Sequence, residues 1–389
     1  MNTNQVKGFN DYLGKDALKR KKIVEIIEDV FSLYGFEPAE TPIIENENFV
    51  VGENNEKDEA VRDVFKLQDR GKRNLALRYE FTFQLKRIAK NQKLPFKRFQ
   101  TGYVFRDEPI KQGRTRQFIQ ADADVVGSSL KDEAELFSIA KNILEKLNVD
   151  FTIEINNRKL LNEILEEQKI PEKDRMQVIR EIDKIGKLDE KEILNNLKKF
   201  KAEKLLKIFN QKENYFEKYS YYKEIKELKK ICKEYDVYVK FSPSLARGLS
   251  YYNGTIFEIK NKKLNVSIAG GGSYLIDKTQ STGISFGVEP LFLIANIEDK
   301  IEKIKFLIVS LSRDIESISL AKKFRKNNFS VQLLLDKSPS RALEYANSKE
   351  IENVVFVGDE EVKSGKFKIK NMKTGKEKII TKDTLTDLF

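Results

Sequence analysis

The 389-residue sequence contains no histidine and a single cysteine, Cys232. The lack of histidine excludes histidine acid–base catalysis, Ser-His-Asp triads and zinc sites built on histidine. One cysteine excludes an intramolecular disulfide bond and a cysteine-only metal site. No apolar run approaches the roughly 20 residues that a membrane helix needs, and the N-terminus lacks an apolar signal region. Because a free thiol is typical of a reducing cytosol, we expect a cytoplasmic protein without membrane attachment.

Positive side chains outnumber negative ones, with 72 Lys and Arg against 61 Asp and Glu, which gives a formal net charge of +11. This excess favours a polyanionic partner such as nucleic acid. A biased, AT-rich genome explains it equally well, because Lys, Ile, Asn, Phe and Tyr are all abundant. The chain is long enough for two or three domains with hydrophobic cores.

The most informative stretch, residues 99–127, predicts a β-hairpin. A short apolar strand at 103–105 leads into a polar loop with the turn residues Pro109 and Gly113, and a second strand returns over 116–126. Because side chains alternate along a strand, one face of the second strand carries Phe118, Gln120, Asp122 and Asp124. Arginines in this hairpin suit phosphate oxygens. The alternative is an edge hairpin with weak surface salt bridges.

The stretch GRTRQFIQADAD at 113–124 resembles motif 2 of class II aminoacyl-tRNA synthetases in its histidyl form. A second segment, RGLSYYNGTIFE at 247–258, is similar to a motif that we expect only in histidyl-tRNA synthetases. The helix predicted at 16–34 and the proline-containing strand after it resemble motif 1, which implies a homodimer. An ordinary packing helix would show the same apolar periodicity.

The resemblance implies a role for each matching residue. Arg247, Arg106 and Gln120 form the catalytic set, in which Arg106 and Arg247 meet the α-phosphate. The histidine-binding set is Glu80, Thr82, Gln120, Asp124, Arg247, Tyr251 and Tyr252. The ATP-binding set is Arg106, Glu108, Arg114 and Phe118, with Mg²⁺ on the phosphates and no side-chain metal ligand assigned. Lys111 and Gln112 are candidates for contact with the extra 5′ nucleotide of the histidine tRNA. Thr82 is alternatively a helix N-cap.

Four positions depart from the family pattern. Ser250 stands where the family has aspartate, and Ser273 and Leu275 replace the arginine and the aspartate of a GGGRYD segment. Pro290 stands where motif 3 has the arginine that binds the γ-phosphate, and proline offers neither charge nor donor. Arg87, Arg114 or Arg116 are the candidate substitutes.

The expected fold is an α+β catalytic domain of the class II synthetase type with a mixed, mainly antiparallel sheet. It comprises residues 1–158 and 236–298 and is interrupted by a helical insertion at 159–235. A C-terminal anticodon-binding domain at 303–389 is expected to be a three-layer α/β unit, because strands at 305–310, 330–335 and 353–357 alternate with helices. A hairpin at 366–380 and a short C-terminal helix complete this prediction.

These features predict a histidine–tRNA ligase with ATP, L-histidine and the histidine tRNA as partners. The alternative is a non-catalytic, histidine-binding paralogue like the regulatory subunit of ATP phosphoribosyltransferase. The missing motif 3 arginine favours this alternative, whereas the intact segment at 247–258 opposes it. A general nucleic-acid-binding protein has only the net charge in its favour.

Overall fold

The computed structural model describes residues 3–52, 59–186, 188–247, 251–264, 266–297 and 304–381. The chain divides into two compact units, residues 1–299 and 300–389. Within the described ranges, no helix is both long and apolar enough to cross a membrane. The C-terminal helix predicted after residue 380, and Ser250, lie outside the described residues.

The first unit contains eleven described strands and eleven described α-helices. The strands are β1 (Glu37–Pro38), β2 (Ile44–Asn46), β3 (Lys66–Gln68), β4 (Asn74–Leu77), β5 (Phe96–Phe105), β6 (Gln117–Val126), β7 (Thr152–Asn157), β8 (Val239–Phe241), β9 (Tyr252–Lys260), β10 (Ala269–Ile276) and β11 (Thr279–Gly287). The helices are α1 (Gly14–Leu33), α2 (Glu47–Val51), α3 (Glu59–Arg62), α4 (Thr82–Ile88), α5 (Leu130–Lys146), α6 (Arg158–Glu167), α7 (Glu172–Ile182), α8 (Glu190–Lys198), α9 (Lys204–Phe209), α10 (Tyr222–Glu234) and α11 (Val288–Ile294), and a 3-10 helix spans Glu213–Lys218.

The centre of this unit is an eight-stranded sheet in the order β1-β5-β6-β11-β10-β9-β7-β8. Only the two outer pairs, β1–β5 and β7–β8, are parallel, so the predicted mixed, mainly antiparallel sheet is confirmed. A small separate sheet has the order β2-β4-β3. Helices α1 and α5 pack on the large sheet, where Ala121, Ala123 and Val125 of β6 face a continuous apolar core.

Strand β5 begins at residue 96, seven residues before the predicted start at 103. The sequence hides this extension because Arg98 and Gln100 in its first half, which lie on the face that carries Asp122 and Asp124, are buried and polar. A polar residue at a buried strand position gives no apolar alternation to detect.

Residues 159–235 form helices α6 to α10, in agreement with a helical block. Their apolar side chains, including Leu161, Ile179, Leu206 and Cys232, belong to the same buried cluster as the strands of the large sheet. The sequence boundaries of the catalytic domain and the insertion stay predictions, since this core is continuous across them.

The second unit contains β12 (Phe306–Ser310), α12 (Asp314–Lys326), β13 (Val331–Leu334), α13 (Pro339–Ser348), β14 (Asn353–Val357), α14 (Asp359–Ser364), β15 (Lys366–Asn371) and β16 (Glu377–Thr381). Its sheet has the order β13-β12-β14-β15-β16, with parallel pairs at β13–β12–β14 and antiparallel pairs beyond. Alternate residues of β12 pack in opposite clusters, Phe306 and Ile308 with α12 and Leu307 and Val309 with α13. This is the predicted three-layer unit.

Candidate active site

The site lies on the polar face of the large sheet, opposite the helix-covered apolar face. One row across β5, β6 and β11 consists of Arg98, Asp124 and Gly283, and the next row consists of Gln100, Asp122 and Ser285. Strand β10 continues the same face with glycines at 270 and 272. This face therefore carries polar side chains and glycines instead of the apolar side chains of the opposite face, and a ligand would approach here.

A small cavity of about 80 Å³ opens on this face. It is lined by all seven residues of the predicted histidine-binding set, Glu80, Thr82, Gln120, Asp124, Arg247, Tyr251 and Tyr252. These residues come from three separate stretches of the chain, so only the fold brings them together. Their proposed roles stay predictions.

Asp124 is held on both carboxylate oxygens. The hydroxyl of Tyr274 donates to Oδ1, and Nη2 of Arg98 lies 2.8 Å from Oδ2. A Cβ atom at Gly283 would lie only 2.0 Å from Oδ1, so the carboxylate occupies the space that this glycine leaves open. Burial raises the pKa of Asp124, while Arg98 and Tyr274 oppose that shift.

Arg247 lies on a loop that is held by several contacts. Its own backbone is left-handed, with φ 47°. Arg158 Nη1 donates to the Ala246 carbonyl at 3.2 Å, and the Ala246 N–H donates to Asp183 Oδ1 at 3.3 Å. The Arg247 guanidinium lies 3.5 Å from Glu258. A Cβ at Gly270 would lie 2.1 Å from Arg247 Nη1, so the glycine-rich strand β10 makes room for the guanidinium.

Glu80 and Thr82 lie at the start of α4. Glu80 is buried, and the Tyr251 hydroxyl is 3.5 Å from its Oε2. Thr82 is the first residue of α4, and no described side chain caps this helix, so the N-cap alternative for Thr82 is wrong. The Thr82 hydroxyl is therefore not used as a helix cap.

A larger cavity of about 430 Å³ shares Glu80, Arg106, Gln120 and Arg247 with the small one. It is lined by the whole predicted ATP-binding set, Arg106, Glu108, Arg114 and Phe118. Arg106 donates to the Tyr79 carbonyl and to Gln120 Oε1, each at 3.0 Å, and its guanidinium lies 5.1 Å from the Phe118 ring centre. Arg114 is half-exposed and 3.4 Å from Glu108.

Pro290 also lines the larger cavity. Of the three candidate substitutes for the motif 3 arginine, Arg114 alone is among the described residues that line it. Arg87 instead makes two hydrogen bonds to Glu45, at 2.9 and 2.7 Å, and Arg116 pairs with Asp107 at 2.9 Å. The structure therefore does not support Arg87 or Arg116 in that role.

Lys111 and Gln112 are exposed at the hairpin tip and are not among the described residues that line the two cavities. Lys111 forms an isolated bridge with Arg114. Their predicted contact with tRNA stays a prediction.

Several residues around the site were not assigned a role from the sequence: Arg98, Asp122, Asp183, Glu258, Tyr274, Ser285 and Glu289. Alternation along β6 placed Asp122 on the correct face, and this signal was sufficient to include it. Glu289 is buried, pairs with Arg20 at 2.7 Å and accepts the N–H of Ile119 at 3.0 Å, so it ties α11 to β6. Asp183 comes from the helical block, in the segment 179–194 that resembles an LDKLxK segment of the family's insertion domain, but this resemblance assigned it no role.

Two family models match the chain. One, described as histidyl-tRNA synthetase, covers residues 8–291, and the other, an anticodon binding domain, covers residues 305–389. A histidine–tRNA ligase of Bacillus cereus is 35% identical over 423 aligned residues, which cover 100% of this chain and 97% of the relative. A histidine–tRNA ligase of Borreliella afzelii is 31% identical and covers 98% of this chain and 95% of its own length.

Solved structures show the same fold. The histidyl-tRNA synthetase of Nostoc superposes with a TM-score of 0.83 at 22% identity and covers 100% of this chain and 99% of its own. A Bacillus halodurans structure, described as an ATP phosphoribosyltransferase regulatory subunit/histidyl-tRNA synthetase, has a TM-score of 0.76 at 21% identity, with 91% of this chain and 98% of its own covered.

Proposed function

Because the chain belongs to the histidyl-tRNA synthetase family, we propose that it joins L-histidine to the histidine tRNA in two steps. In the first step the histidine carboxylate attacks the α-phosphorus of ATP, which forms histidyl-adenylate and releases pyrophosphate. In the second step the terminal ribose of the tRNA attacks the carbonyl carbon and AMP leaves. The observation that carries this proposal is the convergence of the seven predicted histidine-binding residues on one small cavity that shares its wall with a larger one.

The small cavity offers a partner for each polar group of histidine. Glu80 and Thr82 hold the ammonium group. Asp124 and Tyr252 bind the two ring nitrogens, since a carboxylate and a phenol together suit a ring with two nitrogens. Burial lowers the pKa of Arg247, but Tyr252, Glu258 and Tyr251 outweigh it and raise the pKa, so the guanidinium stays charged.

The larger cavity receives ATP. Arg106 and Arg247 neutralise charge on the α-phosphate during the attack, as fixed cations stabilise a transition state whose charge grows. Phe118 and Glu108 bind adenine, and Arg114 reaches the γ-phosphate beside Pro290. Contacts with neighbouring residues position these groups before the substrate binds. Such positioning lowers the activation free energy of the attack on the α-phosphorus.

Mg²⁺ accompanies the nucleotide in this proposal. Glu108, Asp183 and Glu258 supply carboxylates in the wall of the larger cavity. Among the described residues, no group of three or more His, Cys, Asp or Glu is arranged to hold a metal ion. A site of one or two carboxylates completed by phosphate oxygens suits Mg²⁺, which seldom uses an all-protein cage. When bound, Mg²⁺ would neutralise negative charge on the phosphates.

The partners follow from both units. The match of residues 305–389 to an anticodon binding domain supports tRNA binding by the second unit. A homodimer through the motif 1 region is supported by apolar side chains exposed there, with Leu33 70% and Ile44 50% exposed. A cytoplasmic location rests on the free thiol of Cys232.

A second candidate is a histidine-binding regulatory paralogue without ligase activity. Pro290 favours it, since this position supplies no cation to the γ-phosphate. The fold likeness to the Bacillus halodurans structure is compatible with either function. Arg114 in the cavity wall favours the ligase.

The test is ATP–pyrophosphate exchange with each standard amino acid, followed by charging of the histidine tRNA. We expect exchange with histidine alone. Arg247→Ala should reduce it roughly a hundredfold or more, the scale of losing one preorganised donor. Arg175→Ala is the control, because Arg175 pairs with Glu166 at 2.8 Å and is not among the described residues that line the two cavities. Histidine binding without exchange would favour the regulatory paralogue, and an unchanged rate in Arg247→Ala would reject its role.

A further inference from the structure

Two carboxylates share one arginine at the floor of the small cavity. Asp122 and Asp124 lie two residues apart on the same face of β6 and are 3% and 4% exposed. Arg98, on the neighbouring strand, is completely buried and lies 2.8 Å from Asp124. Asp122 has no such ion pair among the described residues. When Asp122 is ionised, this end of the cavity therefore carries one more negative than positive charge.

Asp122 has one oxygen without a partner. Gln120 Nε2 donates to Oδ2 at 2.9 Å, and Gln120 is itself held by Arg106. Oδ1 is buried and no described hydrogen bond reaches it, although the Ser285 hydroxyl interacts with this carboxyl group and Asp122 lines the cavity. A buried carboxylate oxygen without a donor is costly, so the geometry leaves room for a donor from a ligand.

The other ionisable groups that face this end are accounted for. From β5 comes Arg98, from β10 Tyr274 and from β9 Tyr252, while β11 contributes Gly283 and Ser285, which do not ionise here. Burial raises the pKa values of Tyr251, Tyr252 and Tyr274, so these phenols stay neutral. Glu80, Arg106 and Arg247 face the amino and carboxylate ends of the proposed substrate. None of them neutralises Asp122.

Ionisation of Asp122 reflects this imbalance. Burial and the adjacent Asp124 raise the pKa of Asp122 to about 7, against the opposing effects of Arg98, Ser285 and Gln120. The empty cavity therefore keeps a proton on Asp122 below about pH 7, and a positively charged ligand group would replace it.

We infer that Asp122 makes the cavity selective for a positively charged ring, so that histidine binds as the imidazolium, with a proton on both ring nitrogens. The inference rests on the proposed function, which supplies the identity of the ring. Asp124 then accepts a hydrogen bond from one ring N–H. The negative charge of Asp122 balances the positive charge that the second ring proton brings. Histidine is the standard amino acid whose ring gains a charge near neutral pH.

This arrangement predicts a proton count. At pH 8 both the free histidine ring and Asp122 have lost their protons, so binding takes up close to one proton. At pH 5.5 both free groups are protonated, and binding releases one. Histidine affinity should therefore be greatest between about pH 6 and 7 and fall on either side, by at most about tenfold per pH unit.

The experiment is titration calorimetry of the full chain with L-histidine at pH 8 in two buffers of different ionisation enthalpy, which gives the proton uptake. The second ligand is 1,2,4-triazolyl-3-L-alanine, which has the same shape but a weakly basic ring. The wild-type chain should take up close to one proton and prefer histidine. Asp122→Asn should abolish the uptake and reduce the preference roughly tenfold or more, the scale of one charged hydrogen bond. Asp150→Asn, an exposed position, is the matched control.

Binding of histidine with no proton uptake would overturn the inference but leave the proposed function intact. Equal affinity for both ligands would also overturn it, because a neutral ring beside a protonated Asp122 would then suffice. Absence of histidine binding would instead contradict the proposed function. If Asp122→Asn fails to fold, the wild-type proton count and the ligand preference decide the question alone.

Discussion

At the scale of single residues, Glu133 shows what one departure from the family pattern does. The Ser273 hydroxyl donates to Glu133 Oε1, and Oε2 has no partner among the described residues. The resemblance would place an arginine at position 273. Burial raises the pKa of Glu133 to about 7, and hydrogen bonds from Ser273 and Thr255 only partly oppose it. A hydroxyl in place of a guanidinium thus leaves a buried carboxyl that is about half protonated at pH 7.

Glu133→Gln should remove a pH-dependent loss of stability. The pKa of Glu133 is higher in the folded state than its ordinary 4.5, so folding favours the protonated form. The contribution to the free energy of unfolding is full below about pH 4.5, falls as pH rises and is lost above about pH 7, a difference on the order of 3 kcal/mol. The variant should gain stability over wild type as pH rises from 5 to 8.

Urea unfolding at pH 5, 6, 7 and 8 measures this. Glu145→Gln is the control, because Glu145 lies on the same helix with an exposed side chain. A constant difference between Glu133→Gln and wild type across the whole pH range would contradict the prediction.

At the scale of elements, strands β10 and β11 use glycines to place two functional side chains. A Cβ at Gly270 would meet the end of Arg247, and one at Gly283 would meet the carboxylate of Asp124. Both obstacles are side-chain ends, so each alanine displaces a side chain more readily than it shifts the backbone. Each substitution should therefore reduce activity more than it reduces the free energy of unfolding.

Gly270→Ala and Gly283→Ala should therefore give different defects. Gly270→Ala should lower kcat for pyrophosphate exchange by roughly ten- to a hundredfold, because the proposed function places Arg247 at the transition state. Gly283→Ala should raise the KM for histidine, since Asp124 is displaced from the ring site. Each variant is the control for the other, and thermal unfolding checks that both are folded. The same defect in both variants would count against separate roles.

The helical block also acts on the site as an element. Asp183, just after α7, accepts the Ala246 N–H and so fixes the loop that carries Arg247. Asp183→Ala should reduce the exchange rate roughly tenfold, on the scale of one lost hydrogen bond to a charged group. Lys184→Ala is the matched control, because Lys184 is the next residue and pairs with Glu181 on the surface. Equal rates for Asp183→Ala and wild type would show that this contact is dispensable.

Prediction at this scale was uneven for physical reasons. The second hairpin strand was placed within one residue of β6, because Ala121, Ala123 and Val125 alternate with polar residues. The first half of β5 was missed, since Arg98 and Gln100, on the face of the candidate site, are buried and polar. Helix α14 was missed because it is short and has no buried residues.

At the scale of the whole molecule, each unit has its own hydrophobic clusters. The residues that line both cavities all belong to the first unit. A chain ending at residue 299 should therefore retain histidine-dependent pyrophosphate exchange within a few-fold. It should lose most of its charging of the histidine tRNA, because the anticodon-binding match lies beyond it.

Comparison of the full chain and the truncated chain in both assays tests this division. The single-site control is Arg175→Ala in the full chain, which should leave both activities unchanged. Full charging by the truncated chain would contradict a role for the second unit in tRNA binding.

The sequence by itself indicated the family, the mainly antiparallel sheet, the alternating strands and helices of the second unit and the residues of the histidine- and ATP-binding sets. Motifs and side-chain alternation are local patterns in the sequence, and they can be recognised without knowledge of the fold. Only the tertiary structure decided that Arg98 faces Asp124, that Tyr274 holds it and that Asp183 fixes the Arg247 loop. These contacts join residues as much as 150 positions apart. They depend on strand register and on which face of the sheet is buried, and local patterns do not encode the resulting balance of charge.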